Sequence, residues 1–102
     1  MKRQLVVIAG PDTGRIFPLD DGQSLVIGRG QASNTQINDP RMSRVHCQVQ
    51  ADGGKTWLLD NGSSSGTLVG GEKITRHELK PGDVFQVGET QIRFQRPATM
   101  VP

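Results

Sequence analysis

The sequence predicts an all-β fold, a sandwich of two antiparallel sheets built from ten or eleven short strands. Apolar segments are short, several alternate with polar residues at a period of two, and turn-forming residues separate them. The 102 residues include 13 Gly and 6 Pro, and only 33% of them are apolar. These values favour one turn-rich β domain with a thin core over a helical domain.

The first half of the chain contains strand segments separated by glycine-containing turns. We predict strands at residues 4–9, 15–19, 24–28, 36–37 and 45–51, with a loop at 30–35. The first strand is mostly apolar and is expected to be buried on both faces. Pro18 favours a sheet edge for the second strand, because proline cannot donate to a ladder. Lys2 and Arg3 make the start of the chain faintly similar to a signal peptide, but the apolar segment that follows is too short for one.

The second half continues with short strands joined by tight turns. Strands are predicted at residues 55–60, 67–69, 72–74, 83–87 and 91–95, with a possible further one at 77–79. Residues 52–54 and Gly70-Gly71 are typical of two-residue hairpin turns. The core candidates of the last hairpin are Val84, Phe85, Val87, Ile92 and Phe94. We expect residues 1–95 to form the domain and residues 96–102 to be a tail or linker.

The segment from Asp39 to Val49 begins as a loop and ends as a strand. Val45, Cys47 and Val49 alternate with polar residues, so one face of this strand is predicted to be apolar and the other, with His46, polar. We interpret Cys47 as a buried small hydrophobe rather than a reactive thiol. It is the only Cys, which excludes an internal disulfide.

The loop that precedes this strand is rich in hydrogen-bond donors. Arg41, Ser43 and Arg44 contribute two cations and a hydroxyl, and Pro40 stiffens the approach. Donors mounted at the start of a rigid strand suit the recognition of an anion.

These residues resemble a forkhead-associated (FHA) domain. The matching pieces follow in the family's order between about residues 5 and 95: Ile27-Gly28-Arg29, Ser43-Arg44-Val45-His46, Asp60 to Gly71, Leu79 to Asp83 and Val87-Gly88. The resemblance implies an eleven-strand, FHA/SMAD-like β-sandwich that binds a phosphothreonine-containing protein or peptide. It implies a module of Ser/Thr kinase signalling, with no catalysis, cofactor or metal.

The resemblance also implies which side chains hold the phosphate. Arg29 would make charge-assisted bonds to the phosphate oxygens, Ser43 and Ser64 would donate hydroxyl bonds, and Arg44 would add a backbone N–H and its charge. Arg41 stands where some family members read the third residue after the phosphothreonine. A cation there would favour an acidic residue.

Four further positions match the structural part of the family motif, and one departs from the family. By resemblance, Gly28, His46, Gly66 and Thr67 are architectural, with His46 tying the central strand to the loop of residues 61–66. Ser65 replaces the usual Asn, whose side chain bonds the backbone of the peptide. A serine reaches less far and has one donor. The loss is expected to cost about 0.5–1.5 kcal/mol, at most about tenfold in Kd.

Three alternatives remain beside phosphothreonine binding. The first is a related interaction or scaffold module whose binding does not depend on phosphate. The second is a hydrolase that uses Ser43, His46 and Asp39, which their spacing on a strand disfavours. The third is nucleic-acid binding, which a net charge of +2 and a single Trp support poorly. A monomer in the cytoplasm is the default expectation, with no membrane and no nucleic acid as partner.

Overall fold

The computed structural model describes residues 3–30 and 35–96, which form two β-sheets packed face to face. Eleven strands run along this part of the chain, and no helix occurs in it. They are β1 (Arg3–Ala9), β2 (Ile16–Leu19), β3 (Ser24–Gly28), β4 (Thr35–Gln36), β5 (Cys47–Asp52), β6 (Lys55–Asp60), β7 (Thr67–Val69), β8 (Glu72–Ile74), β9 (Arg76–Leu79), β10 (Val84–Val87) and β11 (Thr90–Gln95). The predicted all-β sandwich is confirmed.

The strands divide into a six-stranded and a five-stranded sheet. The first has the order β2-β1-β11-β10-β7-β8 and the second the order β4-β3-β5-β6-β9. Neighbours are antiparallel except β3 and β4, which pair in parallel over two residues. The edge position predicted for the second strand is confirmed, since β2 lies at one end of the six-stranded sheet.

The core lies between the sheets and consists of the inward residues of alternating strands. In β5 the residues Cys47, Val49 and Ala51 are buried while those between them are not, as a period of two requires. Side chains fully or almost fully buried in the opposing layers include Leu5, Val7, Ile27, Leu58, Phe85, Val87, Ile92 and Phe94. The predicted burial of Cys47 is confirmed, and burial raises the pKa of its thiol, which favours its interpretation as a small hydrophobe.

Several local expectations were wrong. β1 is buried on one face only, because its other face is the outer surface of the six-stranded sheet and leaves Val6 half-buried. Val84 points to the same outer surface and is half-buried too. The short fourth strand starts one residue earlier than predicted, at Thr35. His46 is fully buried rather than on a polar strand face, because β5 begins only at Cys47. Most of the predicted 30–35 loop and of the 96–102 tail lies outside the described residues.

The pairing registers place the connections at two opposite ends of the sandwich. Cys47 pairs with both Ile27 and Asp60, so the segments after β3, before β5 and after β6 meet at one end, which we call the loop end. Asp52 pairs with Lys55 across the β5–β6 hairpin at the other end, which we call the distal end. Donor-rich segments that are far apart in the sequence therefore converge at the loop end.

Candidate functional site

Two neighbouring segments at the loop end are joined through their backbones. The amide of Arg29 donates to the carbonyl of Ser43 at 3.2 Å, and the amide of Gly30 donates to the carbonyl of Arg44 at 3.1 Å. A Cβ on Gly30 would lie 3.1 Å from the Arg44 backbone oxygen, so a larger residue there would push the two segments apart by a few tenths of an ångström. The exposed Arg29 and Arg44 side chains and the half-buried Ser43 therefore start from adjacent backbone positions.

The Arg29 side chain is anchored before any ligand arrives. Its Nε donates to the carbonyl of Met42 at 2.7 Å, and the Met42 side chain is buried in the core. This contact orients an exposed guanidinium whose other N–H groups form a planar fork suited to phosphate or carboxylate oxygens. Pre-orientation lowers the entropy that the arginine loses when it binds an anion.

His46 lies beneath these segments and connects them to the loop of residues 61–66. Its Nδ1 accepts from the amide of Ser43 at 3.1 Å, so the proton of the neutral ring lies on Nε2. Nε2 then donates to the carbonyl of Gly66 at 2.8 Å. Both ring nitrogens are bonded to backbone groups, which disfavours the hydrolase alternative because no nitrogen is left to activate the Ser43 hydroxyl.

The loop of residues 61–66 is shaped by Asp60. Its carboxylate accepts from the Ser63 hydroxyl at 2.6 Å, the Ser63 amide at 3.2 Å and the Thr67 hydroxyl at 2.7 Å. Gly66 has a φ of 87°, a conformation that side chains other than glycine rarely adopt. These features fix the start and end of the loop, so Ser64 and Ser65 project from a defined turn.

Ser64 and Ser65 contact the central loop directly. The amide of Ser64 donates to the hydroxyl of Ser43 at 3.2 Å, and the hydroxyl of Ser65 donates to the carbonyl of Arg41 at 3.3 Å. The structure thus brings Arg29, Ser43, Ser64 and Ser65 into one cluster. Arg44 extends from its rim and is exposed.

The Arg41 side chain points toward the β10–β11 turn. Its Nε lies 3.4 Å from Oε1 of Glu89, and both side chains are more than half exposed, at 71% and 57%. An exposed pair of this kind contributes about 0.2–1 kcal/mol and is easily exchanged for another partner.

Asp39 holds the central loop against the same turn. Its carboxylate is fully buried and accepts from the Thr90 hydroxyl at 2.7 Å, the Glu89 amide at 2.8 Å and the Arg41 amide at 3.0 Å. Burial by itself raises the pKa of Asp39, but these hydrogen bonds outweigh it and leave the pKa below its ordinary value of 3.8. In the hydrolase alternative, Asp39 would have to orient His46, and here it is bonded elsewhere.

Acid is expected to loosen this end of the sandwich. The pKa values of Asp39 and Asp60 are both lowered, against the effect of burial, by hydrogen bonds to the ionised forms. The stabilisation that the two ionised carboxylates give the folded protein is complete above pH 3.8. It is lost as the pH falls through their lower folded-state pKa values. Asp39→Asn should lower the free energy of unfolding at neutral pH by about 1–3 kcal/mol and flatten its decline below pH 3.8. Urea unfolding across pH measures both, with the exposed Asp52→Asn as control; equal curves for the two variants would contradict the assignment.

Sequence reasoning did not identify Asp39 and Asp60 as residues that position the site. A local signal existed for Asp60, since an Asp followed three residues later by Ser63 fits an Asx-type turn. The Arg41 amide contact of Asp39 is equally local, but its bond to Thr90 spans 51 residues and leaves no trace in the sequence. The hydrogen bond from Arg29 to the Met42 carbonyl could not be predicted from the sequence either, because every residue type has a backbone oxygen.

The cluster at the loop end suits an anion carried on an extended segment. Three arginines and three serine hydroxyls lie around a surface formed by loops, and the arginines supply hydrogen-bond donors only. Within residues 3–30 and 35–96, no group of three or more His, Cys, Asp or Glu side chains could hold a metal ion. In the same part of the chain, no helix is long and apolar enough to cross a membrane.

Comparison with known proteins agrees with this geometry. The sequence model of the FHA domain family matches residues 25–88. The chain is 34% identical to the FHA domain-containing protein FhaA of Mycobacterium tuberculosis over 80 residues, which are 78% of this chain and 15% of FhaA. It is 34% identical to the glycogen accumulation regulator GarA of Mycolicibacterium smegmatis over 88% of this chain and 56% of GarA. The chain thus spans less than two thirds of these relatives.

A solved structure shares the fold almost from end to end. It is an FHA domain from a structural and functional study of phosphothreonine-dependent FHA domain interactions, with 30% sequence identity and a TM-score of 0.85. The superposition covers 96% of this chain and 99% of that domain. The β-sandwich is therefore shared with a domain of known fold.

Proposed function

The chain belongs to the forkhead-associated domain family, and on that premise we propose that it is a phosphothreonine-peptide binding module. It mediates phosphorylation-dependent protein–protein interaction in Ser/Thr kinase signalling and performs no catalysis. The partner is a protein or peptide that contains phosphothreonine, such as a Ser/Thr kinase or its substrate. The phosphothreonine-dependent interactions of the similar FHA domain support this function.

The observation that carries the proposal is the convergence of Arg29, Ser43 and Ser64. An anchored guanidinium and a half-buried hydroxyl lie on segments joined by backbone hydrogen bonds, and the amide of Ser64 donates to that hydroxyl. A phosphothreonine carries about −1.5 to −2 charges and three acceptor oxygens. We assign Arg29, Ser43 and Ser64 as its ligands, with Arg44 adding charge at the rim. Gly28, His46, Gly66 and Thr67 hold the segments in place.

Ser65 weakens but does not remove the contact with the peptide backbone. Its hydroxyl already donates to the Arg41 carbonyl at 3.3 Å, a long and exposed bond. A peptide carbonyl can replace that acceptor at little cost, because the exchange leaves the number of hydrogen bonds unchanged. The Ser65 hydroxyl gives up the Arg41 carbonyl in order to bind the peptide, so we expect this contact to add little net affinity. The phosphate ligands are expected to dominate the affinity.

Arg41 is proposed to select an acidic residue three positions after the phosphothreonine. We expect Arg41→Ala to abolish that preference and Glu89→Gln to increase it a few-fold, because Glu89 competes with the peptide for the guanidinium. An array of phosphothreonine peptides that vary at this position measures the preference. If an acidic residue gives no advantage with either the natural chain or Glu89→Gln, Arg41 is a solvated charge and not a specificity residue.

The direct test of the function compares two peptide libraries that differ only in the phosphate. A degenerate phosphothreonine library should be retained by the protein, and its unphosphorylated counterpart should not. Equal retention of both would favour the alternative of a scaffold module that binds without phosphate, whose one supporting observation is Ser65 in place of Asn. If neither library were retained, both phosphothreonine binding and phosphate-independent binding of short peptides would be excluded.

The setting of the module follows from the same function. We propose that residues 1–95 are the binding domain, that it acts as a monomer, and that it works in the cytoplasm, where Ser/Thr kinases and their substrates meet. A lone buried Cys agrees with a reducing compartment.

A further inference from the structure

The distal end of the sandwich contains a cleft that the proposed function does not use. The cleft has a volume of about 210 Å³ and is lined by Arg3, Asp21, Gly53, Gly54 and Arg96. Arg3 begins β1 and Arg96 follows β11, neighbouring strands of the six-stranded sheet. Gly53 and Gly54 form the hairpin turn of the five-stranded sheet. The cleft therefore lies where the two sheets open at the end opposite to the loop end.

Arg3 is buried to an unusual degree for a charged side chain. Only 5% of it is exposed, and within the described residues its Nε and Nη1 have no hydrogen-bond partner. Nη1 lies 3.7 Å from a carboxylate oxygen of Asp21, too far for a hydrogen bond, and Asp21 is itself 63% exposed. A buried guanidinium with unmatched donors is unfavourable unless another group supplies acceptors.

The remaining contacts of the two arginines hold the hairpin turn and define the mouth of the cleft. Nη2 of Arg3 donates to the carbonyl of Gly53, and Nη2 of Arg96 donates to the carbonyl of Gly54 at 3.2 Å. Two guanidinium groups are thus fixed by consecutive carbonyls. With Asp21 as the one carboxylate among the lining residues, the lining carries one net positive charge.

We propose that this distal cleft binds a small oxyanion, a carboxylate or a phosphate, through Arg3 and Arg96. The anion accepts from Nη1 of Arg3, the unmatched donor that faces Asp21, and from the guanidinium of Arg96, through charge-assisted hydrogen bonds. Asp21 competes weakly for Nη1 and gives way. The site shares no residue with the phosphothreonine ligands, so it can bind an acidic or phosphorylated segment while the loop end is occupied.

The experiment is an NMR titration of the Arg29→Ala variant with inorganic phosphate and, separately, with acetate. The Arg29→Ala background removes the main phosphate ligand of the loop end, so the result does not depend on whether the proposed function is right. Saturable shifts of the Gly53 and Gly54 amides and of the Arg3 side-chain Nε–H are expected. A response to phosphate alone, acetate alone or both identifies the oxyanion class. No saturable shift with either anion overturns the proposal.

Two variants that are expected to change the anion affinity in opposite directions separate a binding role from a merely structural one. Arg96→Ala should lower the affinity for the anion at least fivefold, and Asp21→Asn should raise that affinity a few-fold by removing the competing carboxylate. Arg93→Ala, an exposed arginine on the outer face of β11, is the matched control and should change nothing. Arg3→Met should abolish binding; if that variant does not fold, the Arg96 and Asp21 variants decide. Equal affinities for Asp21→Asn, Arg96→Ala and the control would overturn the proposal.

Discussion

Arg29→Ala is expected to weaken binding of a phosphothreonine peptide by about 10- to 150-fold. Hydrogen bonds to charged groups contribute about 1.5–3 kcal/mol, and each 1.4 kcal/mol is a factor of ten in Kd. Arg29 belongs at the upper part of this range because its Nε is held by the Met42 carbonyl at 2.7 Å and the guanidinium is oriented in advance. Isothermal titration with one phosphopeptide, selected on the natural chain, measures the loss.

Two further variants show whether charge or geometry is responsible. Arg93→Ala removes the same charge from the outer face of β11 and should leave Kd within about twofold at physiological salt. Arg29→Lys keeps the charge but loses the planar fork and the Met42 contact, so it should lie between the natural chain and alanine. An Arg29→Ala protein that is folded and binds as tightly as Arg93→Ala would show that the phosphate is held elsewhere.

The strands could be predicted from sequence because local signals for them were unambiguous. Asp52-Gly53-Gly54 and Gly70-Gly71 mark hairpins, and the segments on either side alternate or run apolar over four to six residues. Structural β6, β7 and β8 match the predicted ranges residue for residue. A turn pair fixes the register of both of its strands, so errors do not accumulate along the chain.

Elements without a local signal were predicted less well. The β4 strand is a two-residue parallel pair whose partner β3 comes earlier in the chain, and no periodicity fits into two residues. The outer-face positions of Val6 and Val84 were misplaced because an apolar residue on the solvent side of a sheet looks identical in sequence to one in the core. Only the packing of the second sheet decides between them.

Some residues of the candidate site could be predicted from the sequence and others could not. Arg29, Ser43 and Ser64 were singled out because their motif order resembles a family, and physical spacing alone would have left each of them a surface residue. Asp39 was considered only as a catalytic acid, and its long-range bonds to Thr90 and Glu89 could not be seen in the sequence. Residues that touch a ligand tend to carry motif signals, whereas those that position them depend on contacts made by folding.

His46 is the residue on which stability and the site depend together. It is fully buried, and its two ring nitrogens satisfy the Ser43 amide and the Gly66 carbonyl. These backbone groups belong to the two segments that carry the proposed phosphate ligands. Removing the imidazole leaves the half-buried donor of Ser43 and the half-buried acceptor of Gly66 without their partner, each at a cost of up to about 1–3 kcal/mol, and creates a cavity.

His46→Ala is therefore expected to lower the free energy of unfolding by about 2–5 kcal/mol, and the melting temperature by at least about 10 °C. His77→Ala is the matched control, because His77 is one-third exposed and its ring lies 3.3 Å from the Asp83 carboxylate. It should cost less than about 1 kcal/mol. At a temperature where both variants are folded, His46→Ala should also bind phosphopeptide more weakly, since Ser43 and the 61–66 loop lose their common support. If the His46→Ala and His77→Ala proteins had the same melting temperature, this account would be contradicted. If His46→Ala lowered stability but not affinity, the Ser43–Ser64 and Arg29–Met42 hydrogen bonds would be enough to hold the site.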